Sequence, residues 1–187
     1  MSYLPSRFFS LCRLLAAGML SLTLVSPASA LYDPKPDASM SAAQGEWSGS
    51  LTYRDYSSPD KMVMLPTRMF ISLSAPDEIS LHFIFADGPA KTVYSYEKIG
   101  IYPLKKELIW SSGVSEKSSS TYQILADDVT DKGRKLLFEK RSEKGINRYT
   151  LEIGANVFVL SKDEIDAAGV ATFRNRYLLS RPGTPAK

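Results

Sequence analysis

The 187-residue chain sets 23 Lys and Arg against 20 Asp and Glu, with 44% hydrophobic residues and a single cysteine. So balanced a charge disfavours nucleic-acid binding, which needs a concentrated basic surface, and one cysteine excludes an internal disulfide framework. At this length one domain buries about two thirds of its unfolded-chain surface, so an apolar core suffices.

Residues 1–30 contain Arg7 and Arg13, no acid, an apolar run Leu14–Val25 and the small-residue sequence Ser26-Pro27-Ala28-Ser29-Ala30. That order predicts a secretory signal peptide cleaved after Ala30. The apolar run is about a dozen residues, short of the roughly 20 that span a bilayer, so no stable membrane anchor is expected after cleavage. The predicted location is the periplasm of a two-membrane cell, or outside a one-membrane cell. Cleavage removes two cations and no acid, which lowers the net charge from +3 to +1, and it removes Cys12.

Residues 31–44, with Pro34 and Pro36, lack periodicity and read as a flexible leader. From Gly45 to Arg181, short alternating runs recur about every 8 to 12 positions between turn-forming clusters. The runs are Glu46–Tyr56, Met62–Leu73, Ile79–Phe85, Thr92–Ile101, Glu107–Ser112, Thr121–Ala126, Lys135–Arg141, Asn147–Ile153, Val157–Leu160 and Thr172–Ser180. Ser161 followed three residues later by Glu164, with Gly169 beyond, predicts one short helix before the last strand. Residues 182–187 form a tail. No crossover helices of the length a parallel sheet needs are visible. An open sheet of so many strands would leave unpaired edges, so the expected fold is all-β: one antiparallel meander closed into a barrel of about 8 to 10 strands.

Gly45-Glu46-Trp47-Ser48-Gly49 on the first strand and Phe173-Arg174-Asn175-Arg176-Tyr177-Leu178-Leu179-Ser180-Arg181 on the last resemble the calycin group of lipocalin-like and fatty-acid-binding-protein-like barrels. The opening also resembles a set of exported bacterial proteins that begin GxWxGxLxYRDY. The resemblance implies that Trp47 packs near one barrel end with an Arg from the last strand across its ring. Antiparallel closure of the last strand on the first would independently bring Arg181 towards Trp47, with Arg174 or Arg176 as substitutes. Guanidinium over indole is worth about 0.5 to 2 kcal/mol.

Candidates for chemistry are sparse. His82 is the sole histidine, so a site with two imidazoles is excluded within one chain, and parity points it to solvent. No serine occupies a Gly-x-Ser-x-Gly turn. Arg54 and Asp55 read as strand-end hydrogen-bonding groups. Asp127, Asp128 and Asp131 before Gly133 do not reproduce a calcium loop. Met62 and Met64 share a face and Met69 lies on the other, which breaks a copper cluster. No metal, cofactor or catalytic residue is assigned, and an enzyme is the less favoured reading.

Aromatic residues occur on nearly every strand, and barrels of this size either fill with side chains or hold one small ligand. The expected function is non-catalytic binding of a small apolar or amphiphilic ligand by an exported monomer. Tyr53, Met69, Phe83, Phe85 and Trp110 are the expected ligand contacts by inward parity and bulk. The alternative is a filled barrel acting through its outer surface as a partner-binding or envelope-structural module.

Overall fold

A computed structural model describes residues 38–115 and 118–183. The predicted signal segment and most of the tail lie outside them. Among the described residues, a helix α1 (Ala38–Ala43) precedes ten strands. They are β1 (Gly45–Arg54), β2 (Met62–Ala75), β3 (Glu78–Ala86), β4 (Thr92–Tyr102), β5 (Glu107–Ser112), β6 (Ser118–Thr130), β7 (Gly133–Ser142), β8 (Gly145–Gly154), β9 (Val157–Ile165) and β10 (Ala171–Ser180). Every strand pairs antiparallel with its chain neighbours, and β10 pairs with β1 to close the ring.

Closure rests on the register Ser48↔Ser180 to Tyr53↔Asn175. It needs a close backbone approach at Gly49, where a Cβ would stand 2.1 Å from the Leu178 carbonyl oxygen. Only glycine tolerates that approach. Inward positions near the α1 end are largely apolar, as in the row Trp47↔Met69↔Phe83. Outward positions carry paired charge: Glu46 with Arg68, Glu78 with Lys98 at 3.4 Å, and Glu139 with Arg148 at 2.8 Å.

The predicted helix before the last strand is absent from its place. Ser161–Glu164 belongs to β9, where both neighbours hold it: Ser161 faces Thr150 of β8 and Arg176 of β10. A ladder on both sides outweighs a local capping pattern, because leaving β9 would orphan backbone groups on two strands. Gly169 serves the turn after β9, with φ of +83°, and the Asp166 carboxylate accepts from the amides of Ala168 and Val170, both at 2.9 Å.

The helix lies instead at the other end, in the segment expected to be a flexible leader. Met40 and Ala43 of α1 are fully buried with Trp47, so α1 closes the end of the barrel at which β1 begins. The Trp47 indole N–H donates to the Ala43 carbonyl at 2.8 Å. Arg181 lays its guanidinium 4.2 Å from the centre of the Trp47 ring and donates to the carbonyls of Gln44, at 2.7 Å, and Ala42. Those carbonyls at the end of a short helix have no intrahelical partners, and the cation satisfies them. Arg174 is at the opposite rim, 3.6 Å over the Tyr56 ring and bonded to the Arg54 carbonyl at 2.8 Å. Arg176 is exposed and faces Thr52.

Candidate functional site: a cup at the open end of the barrel

Inward side chains become less buried along the strands from the α1 end towards the loops that join β1 to β2, β3 to β4, β5 to β6, β7 to β8 and β9 to β10. On β4 the inward positions run Ile99, Glu97, Ser95, Val93, and exposure rises from 0% at Ile99 to 38% at Val93. The same change occurs on β5 from buried Leu108 to half-buried Trp110 and Ser112, and on β8 from buried Leu151 to half-buried Tyr149 and Asn147. On β10 it runs from buried Leu179 to half-buried Tyr177 and Asn175. Side chains that point inward and are still partly accessible can be reached only through the lumen. The barrel is thus a filled plug below and an open cup above.

One wall of the cup borders an open pocket of about 340 Å3 at the rim, lined by Leu51, Tyr53, Phe85, Asp87, Asn175 and Tyr177 among others. Phe83 lies under it, stacked on Phe85 at 5.7 Å and tilted against Tyr177 at 4.8 Å. The other wall is an aromatic cluster in which Trp110 and Phe138 meet Tyr149 at 5.5 and 5.1 Å, and Tyr122 meets Phe138 edge-on at 5.6 Å. Such pairs gain about 0.5 to 1.5 kcal/mol beyond area burial, so the wall is stiff.

Between the walls lies Glu97. Its carboxylate accepts from the Ser95 hydroxyl at 2.8 Å, the Trp110 indole N–H at 2.8 Å and the Ser112 hydroxyl at 2.5 Å. Three neutral donors hold it in place, and they leave acceptor capacity on Oε1, to which only Ser95 donates among the described residues. Among the other charged groups facing the cup, Lys162 pairs with Glu164 at 2.8 Å, while Lys140 donates to the neutral Ser120 hydroxyl at 2.8 Å and lies 5.9 Å over the Tyr122 ring. Burial pushes the phenols of Tyr177 and Tyr149 well above the ordinary phenol range, and the Glu97 charge adds to the effect at Tyr177. Tyr122 is raised for the same first reason. All three are therefore neutral hydrogen-bonding groups at neutral pH.

Of the five expected ligand contacts, Tyr53 and Phe85 line the pocket, and Phe83 supports it from below. Trp110 stands on the other wall with its N–H on Glu97. Met69 is part of the packed plug, opposite Trp47 in register and 1% exposed. It is too deep to line the cup. Sequence reasoning passed over Glu97, Tyr149 and Tyr177. The available signal was parity: Glu97 shares a face with Ile99 and Ile101, so a charge had to point inward.

His82 is exposed and meets Tyr96 edge-on at 4.6 Å. Asp127 pairs with buried Arg134 at 2.7 Å, while Asp131 sits in the hairpin tip. Among the described residues no group of three or more His, Cys, Asp or Glu could hold a metal ion. What the cup can do chemically is bury apolar surface between aromatic walls while a carboxylate and several hydroxyls fix orientation. Neither a family model nor a curated protein matches this chain, so the fold and the cup carry the functional argument.

Proposed function

We propose that the protein is an exported, monomeric, non-catalytic barrel that binds one small amphiphilic ligand in the cup. The graded burial carries this reading: a barrel evolved only as a solid module gains stability by packing its interior to both ends. Here the apolar plug stops at Leu108, Leu151 and Leu179, and half-buried aromatic and polar side chains face the lumen above it. The open pocket of about 340 Å3 lies within the range of ligand sites, about 300 to 1,000 Å3, and combines apolar lining with a few polar groups as such sites do. Export rests on the predicted signal segment, residues 1–30.

Ligand contact falls on Tyr53, Phe85 and Tyr177 at the rim, with Phe83 and Trp110 behind them. Native mass spectrometry of protein purified gently from its own host tests the proposal. The expected result is a reproducible added mass that organic solvent removes, and uptake by the stripped protein of a neutral fluorescent naphthylamine. A clean apoprotein that takes up no probe would overturn it.

A further inference from the structure

Glu97 is the last inward side chain of β4 before the plug, since Ile99 beyond it is fully buried. Val93, four residues nearer the rim, lines the pocket, and four residues of strand cover about 13 Å. Ser95, between them on the same face, donates to Glu97. Val93, Ser95 and Glu97 thus form one row of exposed or partly exposed side chains running from the rim down to a carboxylate.

Among the described residues that carboxylate has only neutral hydrogen-bond partners, two hydroxyls and an indole N–H. Half-burying an anion with only neutral donors costs free energy, and a cationic partner would offset that cost. The surroundings suit a cation as well. Trp110 touches Glu97 directly, and its ring lies 6.1 Å from that of Tyr122 and 5.5 Å from that of Tyr149. Aromatic faces beside a carboxylate attract ammonium groups through the ring quadrupole as well as the charge. A carboxylated amphiphile would instead meet Glu97 as a like charge. Of the two inward lysines, Lys162 is ion-paired with Glu164, whereas Lys140 keeps its charge, donating to the Ser120 hydroxyl and lying 5.9 Å over the Tyr122 ring, so a carboxylate head held by Lys140 is the alternative that the test must exclude.

We propose that the ligand is an amphiphile with a cationic nitrogen head, a protonated amine or an alkylated ammonium, received by Glu97 at the cup floor with its apolar part towards Tyr177 and Phe85. This deepens the ligand-binding reading and rests on it.

Calorimetric titration of the full chain with decylamine, decanol and decanoate, each below its aggregation concentration, tests the inference separately. A charge-assisted hydrogen bond favours the amine over the alcohol by about tenfold or more, with decanoate weakest. Glu97→Gln, nearly isosteric, should abolish the preference for decylamine over decanol, read as the ratio of the two affinities in the same variant. Decanoate binding as tightly as decylamine, or equal affinity for all three, would overturn the cationic-head inference while the binding reading stands. If none of the three binds, the binding reading itself falls. Should Glu97→Gln fail to fold, the ranking of the three probes by the unaltered protein still decides.

Discussion

The two halves of the barrel use one strand repertoire to opposite ends. At the α1 end, Trp47, Met69, Ile71, Ile79, Leu81, Ile99 and Phe158 are buried to 2% exposure or less, and the helix, the indole and Arg181 seal the opening. At the other end the inward positions hold Tyr53, Glu97, Trp110, Tyr149, Asn175 and Tyr177, none of them fully buried. The first half is built as a domain core is, and its side chains leave no room for a ligand. The second keeps polar groups hydrogen-bonded to one another and reachable from the mouth. A closed sheet makes this division possible, because the hydrogen-bonded ring holds the upper half open without side chains to fill it.

The sharpest way to break that comparison is to empty the plug. Trp47→Ala removes a fully buried indole and its bond to Ala43, and should destabilise the protein by about 3 to 5 kcal/mol in denaturant unfolding. A similar loss from Tyr53→Ala would erase the distinction between the halves. Arg181→Ala should cost less, about 1 to 3 kcal/mol, from loss of the stacking cation and of two carbonyl partners. Hydrogen exchange should then quicken in residues 38–43 before it does in β4 or β5.

Tyrosine protonation sharpens the comparison from the cup side. Burial raises Tyr149 and Tyr177 above the ordinary value of 10.0, so above about pH 10 the unfolded chain releases protons that the folded cup retains. Unfolding free energy should therefore fall as pH rises past that value, and Tyr177→Phe should flatten the decline. The smallest effect expected is on stability near neutral pH: Tyr177→Phe should change it by no more than about 1 kcal/mol, while altering uptake of the neutral naphthylamine. A large loss of stability from that variant would place Tyr177 in the plug rather than in a binding wall.

Much of this was legible before the fold was known. Alternation predicted a closed antiparallel meander, and parity turned Trp47, Phe83 and Phe85 inward. Local signals misled where long-range partners outbid them. Ser161 to Glu164 carries a helix-start pattern, yet β8 and β10 flank it and hold it extended. Met40 gave no periodic signal, because a six-residue helix is too short to show one; its burial depends on the hole that it fills.

By itself the sequence determined the strand period, the turns and the faces on which apolar side chains would lie, since these depend on neighbours one to four residues away. The tertiary structure alone decided how far the packing reaches along the lumen. That depth depends on side chains from ten strands meeting across a ring, so Glu97 could be read as inward-facing from β4 but as the floor of an accessible cup only once the opposite walls were in place.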